Sequence, residues 1–118
     1  MALNSVNLVG RLTADPELKK TNNNSPVTNF SIAVDRDFKD ANGEYGVDFI
    51  NVAAFSGIAE FICKWFAKGD MICVNGRLTQ NKWKDNDGNN RIAYNVTAIS
   101  VYFCGGEYSD HTKKGRKK

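Results

Sequence analysis

The sequence predicts an all-β fold with one helix, built as a five-stranded Greek-key barrel. Five stretches have strand-like patterns, and one stretch between the third and the fourth changes to helical spacing. Two strands contain an internal glycine, Gly10 and Gly76, and such glycines mark bulges or sharp bends. A two-sheet sandwich would also bury these strands, but it would not account for the single helix. The 118 residues fit one domain.

The first three strands are predicted at residues 5–12, 27–35 and 47–55 from the alternation of apolar and polar side chains. A polar loop at residues 20–26 separates the first two strands. Residues 36–45 are predicted as a loop or hairpin tip, with Asn42-Gly43 as the turn signal. Three strands therefore precede the helix.

The third strand has two different faces. Ile50, Val52 and Ala54 form a small apolar face that suits the core. The other face combines two aromatic rings with an amide and small residues: Val47, Phe49, Asn51, Ala53 and Phe55. A solvated face would carry Lys, Glu or Thr, so this face predicts either a second sheet or a flat ligand such as a nucleobase.

The helix is predicted at residues 56–68. Its apolar side chains recur at i, i+3, i+4 and i+7 and form one stripe: Ile58, Phe61, Ile62 and Trp65. Ser56 is placed to cap its start, and Gly69 is placed to end it.

The last two strands are predicted at residues 71–84 and 91–103, with a hairpin turn at residues 85–90. Gly105-Gly106 closes the domain, so residues 1–106 are predicted as one barrel and residues 107–118 as a basic, disordered tail. The order of three strands, one helix and two strands is that of the oligonucleotide-binding (OB) fold.

The net charge of +3 comes from the tail, because residues 1–104 carry eleven Lys and Arg against eleven Asp and Glu. Binding to a polyanion would then depend on local clusters or on the tail. No membrane span or signal peptide is visible, and a cytoplasmic, nucleoid-associated protein is predicted. Cys63, Cys73 and Cys104 are an odd, widely spaced set, predicted to be reduced thiols.

Catalysis and cofactor binding are not indicated. His111 is the single histidine and is predicted to lie in the tail without a structured partner. No Ser or Cys has a candidate base beside it, and no carboxylate constellation suggests a nuclease. Asp85, Asp87 and Gly88 resemble a calcium loop only faintly, and a hairpin turn explains them without metal. We therefore expect no enzyme activity, no cofactor and no metal.

The aromatic residues divide by their context. Phe30, Phe61 and Trp65 lie at core-facing positions, whereas Tyr102 and Phe103 end the last strand and favour core or subunit packing. Four other rings lie outside the core pattern and are predicted to stack on bases: Phe38, Phe49, Phe55 and Trp83. Tyr94 could face either way.

Basic residues interleave with these rings, as a single-strand channel requires. Trp83 lies between Lys82 and Lys84 in sequence, which predicts a stacking ring beside two phosphate-pairing charges. The full set predicted to contact phosphates is Arg11, Arg36, Lys39, Arg77, Lys82, Lys84 and Arg91.

Six segments resemble the bacterial single-stranded DNA-binding protein (SSB) family, including its prophage relatives. They are NLVGRLTADPEL, NFSIAVDR, FINVAAFSGIAEF, KGDMICVNGRL, NKWKD and VYFCGG, and they cover residues 4–106 almost continuously. The resemblance implies an OB barrel that coats single-stranded DNA in replication, recombination and repair, and a homotetramer assembled as a dimer of dimers. The family's stacking positions match the four rings above, with phenylalanine at two tryptophan positions, Phe38 and Phe49.

The chain also departs from the family pattern. Asn51, Thr79 and Asn81 stand where positive residues are often found, which predicts weaker phosphate pairing. The family usually ends in an acidic tip that recruits replication and repair proteins, whereas this chain stops with DHTKKGRKK, so recruitment through such a tip is not expected. The alternative function is an OB-fold subunit that acts through protein contacts in a replication-restart or recombination complex.

Overall fold

The computed structural model describes residues 3–105 and 108–111. The described elements are β1 (Val6–Leu12), β2 (Lys19–Lys20), β3 (Pro26–Lys39), β4 (Tyr45–Phe55), α1 (Ser56–Trp65), β5 (Met71–Lys84) and β6 (Asn90–Phe103). Apart from the two-residue β2, this is the predicted order of strands and helix. The described helix is too short to cross a membrane.

The five long strands close into a barrel, which confirms the OB-fold prediction and excludes the sandwich. β1 pairs antiparallel with β5 along most of its length and then with β3, where Leu12 lies opposite Ile32. β3 pairs with β4, and β5 pairs with β6, both antiparallel. β4 and β6 complete the ring as a parallel pair at two positions, Val52 with Val96 and Ala53 with Thr97.

The mid-strand glycines lie where a neighbouring strand leaves no room for a side chain, and the predicted bulge is confirmed at Gly76. A Cβ at Gly10 would come within 2.7 Å of the carbonyl oxygen of Ala33, at the point where β1 passes from β5 to β3. A Cβ at Gly76 would overlap the carbonyl oxygen of Thr97, beside a bulge in the pairing of β5 with β6. Only glycine leaves room for the backbone at these two points.

The core combines the inner faces of the strands with one face of the helix. The predicted inner face of β4 is confirmed, because Val52 and Ala54 are buried and Ile50 packs against the core. The helix contributes Ala59 and Ile62, both fully buried. The remaining stripe residues, Ile58, Phe61 and Trp65, are partly buried and pack at the edge of the core.

The predicted helix start at residue 56 is confirmed, whereas the predicted cap and the predicted end are wrong. Phe55 is the N-cap residue and makes no side-chain capping bond, so Ser56 is the first helical residue and not the cap. The helix ends at Trp65 because Phe66 adopts an extended backbone conformation, with φ −121° and ψ 145°. This extended conformation places the Phe66 side chain in the core, where it is fully buried. Gly69 lies beyond the helix in a following turn.

Both hairpin tips are five-residue turns of the same construction. Asp40 Oδ1 accepts hydrogen bonds from the backbone N–H groups of Asn42 and Glu44, at 2.8 and 3.0 Å. Asp85 Oδ1 accepts the equivalent bonds from Asp87 and Asn89, both at 2.9 Å. A glycine with positive φ occupies the fourth position of each turn, at 79° in Gly43 and 83° in Gly88. The side chain of the first aspartate thus organises each turn without a metal ion.

The chain beyond the barrel returns to the helix. The Tyr108 ring packs on Phe66 and Phe103, with centroids 5.4 and 4.6 Å away, and its hydroxyl donates a hydrogen bond to the Met71 carbonyl. The His111 backbone N–H donates to the Lys64 carbonyl oxygen at 2.8 Å. The prediction that His111 lacks a structured partner is therefore wrong. Residues 112–118 of the predicted tail lie outside the described residues, and the division at Gly106 stays a prediction.

The cysteine prediction is wrong for two of the three residues. Cys73 and Cys104 form a disulfide, with Cα atoms 6.1 Å apart, in the usual range for such bonds. Cys73 lies on β5 opposite Tyr102, and Cys104 follows the end of β6, so sheet pairing brings the two together. Cys63 on α1 lies outside this disulfide.

The close approach at Gly76 generates a stability prediction. Gly76→Ala places a methyl group against the Thr97 carbonyl, so β5 and β6 must separate, and we expect a loss of about 1–3 kcal/mol of unfolding free energy. Gly57→Ala is the matched control, because its Cβ would meet nothing within 4 Å and alanine favours the helix. Thermal denaturation of both variants measures the difference. Equal melting temperatures for Gly76→Ala and the wild type would contradict this account of the bulge.

The Asp85 turn generates a pH prediction. Hydrogen bonds from the Asn89 backbone and then from Arg91 lower the pKa of Asp85. Its stabilising effect is therefore present above the unfolded-state pKa of about 3.9 and is lost as the pH falls through the lower folded-state pKa. Asp85→Asn removes the charge, so we expect the wild type to melt higher than this variant near neutral pH and the gap to close as the pH falls through the lowered folded-state pKa of Asp85.

The control for the pH prediction is Asp87→Asn, in the same turn. Only the backbone N–H of Asp87 takes part in the described turn hydrogen bonds, so this substitution should leave the melting temperature nearly unchanged across the pH range. A gap between wild type and Asp85→Asn that stays constant from neutral to acid pH would show that the Asp85 charge contributes nothing.

Candidate nucleic-acid interface

Two long hairpins extend from the barrel and carry most of its exposed aromatic residues. β3 and β4 form one arm, which ends where Lys39 pairs with Tyr45. β5 and β6 form the other, which ends where Lys84 pairs with Asn90. Because β4 and β6 pair only at two positions, the arms separate on leaving the barrel and leave a cleft between them.

The four rings predicted to stack on bases all lie outside the core. The exposed fractions of Phe38, Phe49, Phe55 and Trp83 are 73%, 69%, 47% and 50%. Three of them lie on strands where they were expected, whereas Phe38 was expected in a loop and lies near the end of β3. It is part of a bulge in which residues 36–38 lie opposite the single residue Gly46.

The outer face of β3 and β4 carries aromatic, small and amide side chains and little charge. Phe49 lies opposite Ala33 and Phe55 lies opposite Val27, so small neighbours leave both rings accessible. A cavity of about 450 Å³ opens on this face, and its polar lining is Thr13, Asn29, Ser31, Asn51 and Asn95. Asn51 is exposed as predicted, whereas Ala53 is buried although it belongs to the same face. This face offers flat rings and amide groups, with the Asp35 carboxylate opposite Val47 toward the end of the arm.

Trp83 and its neighbouring lysines do not share one face of the arm. Successive side chains on a strand alternate, so Lys82 and Lys84 lie on the face opposite Trp83. The cross-strand neighbour of Trp83 is Arg91. All four nevertheless line one open cavity of about 450 Å³ near the tip of the arm. Lys82 and Lys84 therefore border the cavity beside the ring without sharing its face.

Four of the seven predicted phosphate contacts already have partners within the protein. The guanidinium of Arg36 contacts the Asp48 carboxylate at 2.8 Å, which lowers the pKa of Asp48 and raises that of Arg36. Arg91 contacts Asp85, also at 2.8 Å. The other two partners are a carbonyl and a ring: Arg11 donates to the Gly69 carbonyl at 3.1 Å, and the Lys39 ammonium lies 5.7 Å from the Tyr45 ring centroid.

The other three predicted phosphate contacts all lie on β5. Arg77, Lys82 and Lys84 are exposed, and none of them forms an ion pair within the described part of the chain. Because both acidic partners of the arginines lie on the arms, pairing cancels charge where a polyanion would approach. β5 is therefore the main source of uncompensated positive charge on this surface.

Sequence reasoning left several exposed apolar residues on the arms without a role. Leu78, Ile92 and Tyr94 lie on the side of β5 and β6 that faces inward within the barrel, yet all three are exposed. They are exposed because both strands continue beyond the end of the barrel. The sequence left Tyr94 open to either face and gave Leu78 and Ile92 no role, because alternation does not show where a strand leaves the barrel.

No metal site is apparent in residues 3–105 and 108–111, where no group of three or more His, Cys, Asp and Glu side chains could hold an ion. The aspartates that suggested a faint calcium loop, Asp85 and Asp87, are accounted for by the hairpin turn described above.

Comparison with known proteins agrees with this geometry. The model of the single-strand binding protein family matches residues 3–104. The single-stranded DNA-binding protein 2 of Staphylococcus aureus strain Mu50 is 44% identical over 101 residues, which cover 86% of this chain and 72% of that protein. A single-stranded DNA-binding protein of S. aureus strain MRSA252 is 38% identical over 112 residues, 95% of this chain and 72% of that protein. One from Halalkalibacterium halodurans is 42% identical over 101 residues, 86% of this chain and 60% of that protein.

Proposed function

This chain belongs to the single-strand binding protein family, and we propose on that premise that it binds single-stranded DNA with little sequence preference. The observation that carries the proposal is the set of four exposed rings on two arms beside a largely uncharged face. Every base has a flat face, so stacking on these rings tolerates any sequence. The role that follows is to coat and protect single strands during replication, recombination and repair, without enzymatic activity, in the cytoplasm and on the nucleoid.

The residues proposed to bind DNA are expected to contribute unequally to the affinity. Phe38, Phe49, Phe55 and Trp83 stack on bases, and Arg77, Lys82 and Lys84 pair with phosphates, because these three basic side chains are uncompensated. Arg36 and Arg91 contribute less, because each is paired with a carboxylate. Arg11 and Lys39 contact a carbonyl and a ring, which leave their positive charge in place, so they remain proposed phosphate contacts. Binding should therefore depend on stacking more than on charge, with a shallow dependence of affinity on salt.

We also propose that the chain assembles as a homotetramer, a dimer of dimers. Val9 on β1 lies opposite Cys73 on β5, which lies opposite Tyr102 on β6, so the three form a row on the outer face of the barrel. Val9 and Tyr102 are about half exposed, and Ile99 on β6 is exposed as well. A row of apolar side chains across three strands supports coverage by another subunit.

The stacking proposal predicts that Trp83→Ala and Phe55→Ala each weaken binding by about 1–3 kcal/mol, the usual contribution of one base–aromatic stack. Fluorescence anisotropy with a labelled oligothymidine measures both variants. In the wild type, Trp83 emission should be quenched as bases stack on it. Absence of both quenching and binding at low salt would remove the proposal and favour a role in protein contacts.

Phe61→Ala is the control for these variants. The Phe61 ring packs against Phe66 and Phe103, with centroids 6.1 and 5.6 Å away, so its loss should cost packing energy, up to about 3–5 kcal/mol. We expect a lower melting temperature and unchanged affinity of the folded protein. The division of the aromatics fails if Trp83→Ala unfolds the protein while Phe61→Ala has no effect.

The assembly proposal predicts a tetramer mass in light scattering. Tyr102→Lys places a charge in the apolar row and should shift the mass toward smaller species, whereas Leu18→Lys, an exposed site outside that row, should not. A monomer mass for the wild type at micromolar concentration would contradict the proposal.

A further inference from the structure

A second exposed ring, Tyr94, lines the same cleft as Phe49. The cleft between β4 and the β5–β6 arm encloses about 310 Å³, and both Phe49 and Tyr94 line it. Their exposed fractions are 69% and 58%, so each ring offers more than half its surface. Leu8, Ile50 and Val96 form its apolar floor.

Strand pairing places both rings beside the opening between β4 and β6. β4 and β6 run parallel, and in the direction of the chain their pairing starts at Val52 and Val96. Phe49 lies three residues before this pair on β4, and Tyr94 lies two residues before it on β6, where the strands diverge. Gln80, directly opposite Tyr94 on β5, donates a hydrogen bond from Nε2 to the tyrosine hydroxyl at 3.1 Å, which orients the ring.

We propose that Tyr94 is a further base-stacking residue and that the cleft takes one unpaired nucleobase between Phe49 and Tyr94. This inference rests on the proposed binding of single-stranded DNA. A flat, largely apolar group between two rings matches a nucleobase, which stacks on aromatic side chains. Asn51 and Asn95 also line the cleft, and their amides can donate to or accept from the edge of any base.

The position of the cleft supports a base over other occupants. Asn51 and Asn95 line both this cleft and the 450 Å³ cavity on the outer face of β3 and β4. A strand that follows that face therefore crosses the mouth of the cleft. Phe49 belongs to both surfaces, so a base stacked on it is already placed at the entrance.

The test combines two substitutions at one position. Tyr94→Ala removes the ring and should weaken binding of labelled oligothymidine by roughly 5- to 100-fold in anisotropy titrations. Tyr94→Phe keeps the ring and loses only the hydroxyl that contacts Gln80, so its affinity should stay within about threefold of wild type. Equal affinity of Tyr94→Ala and the wild type, or equal losses in both variants, would overturn the inference.

A second measurement reads the contact directly in the unmodified protein. Oligothymidine carrying 5-iodouracil is crosslinked under ultraviolet light, and the attached residues are mapped by mass spectrometry. We expect adducts at Tyr94 and none at Tyr102, which lies on the same strand outside the cleft, in the row proposed to be covered by another subunit. Adducts on the other stacking residues without any at Tyr94 would overturn this inference and leave the proposed function standing. No binding by the wild type would overturn both.

Discussion

Closure of the barrel is the constraint on which the rest of this structure depends. β1 must pair with β5 and then with β3, and it does so where Gly10 leaves the Ala33 carbonyl the room that a Cβ would occupy. Gly76 allows the matching approach of β5 to β6. With the ring closed in this way, β4 and β6 meet at only two positions. The arms and the cleft between them follow from that short contact.

The same alternation of side chains gives a buried surface inside the barrel and an exposed surface on the arms. Within the barrel, alternation along β4 and β6 buries residues such as Val52 and Val96. Beyond the barrel the same alternation continues, and it exposes Tyr94 because no opposing layer covers it there. A strand that extends past its own core thus holds rings rigidly at the surface. This arrangement costs little conformational entropy when a flat ligand binds.

Several charged side chains on the arms form hydrogen bonds and ion pairs within the hairpins themselves. Asp85 accepts hydrogen bonds from its turn and from Arg91, and Asp48 pairs with Arg36. These exposed pairs hold arginines that would otherwise face a phosphate backbone. The remaining positive charge lies on β5, so the surface combines extensive stacking with modest electrostatic attraction. Neutral amides such as Asn51 on the face between the rings add to that balance.

The sequence by itself determined the order of the elements, the two faces of β4, both hairpin turns and the bulge at Gly76. Each of these depends on the periodicity of side chains or on the conformational preference of a single residue. Both signals can be read from residues that are close together in the sequence. Only the tertiary structure decided that Phe66 enters the core, that His111 returns to the helix and that Cys73 pairs with Cys104. It also decided which arginines are paired and that Tyr94 and Phe49 line one cleft. These features join residues far apart in the chain, and local patterns carry no information about which distant groups the closed barrel brings together.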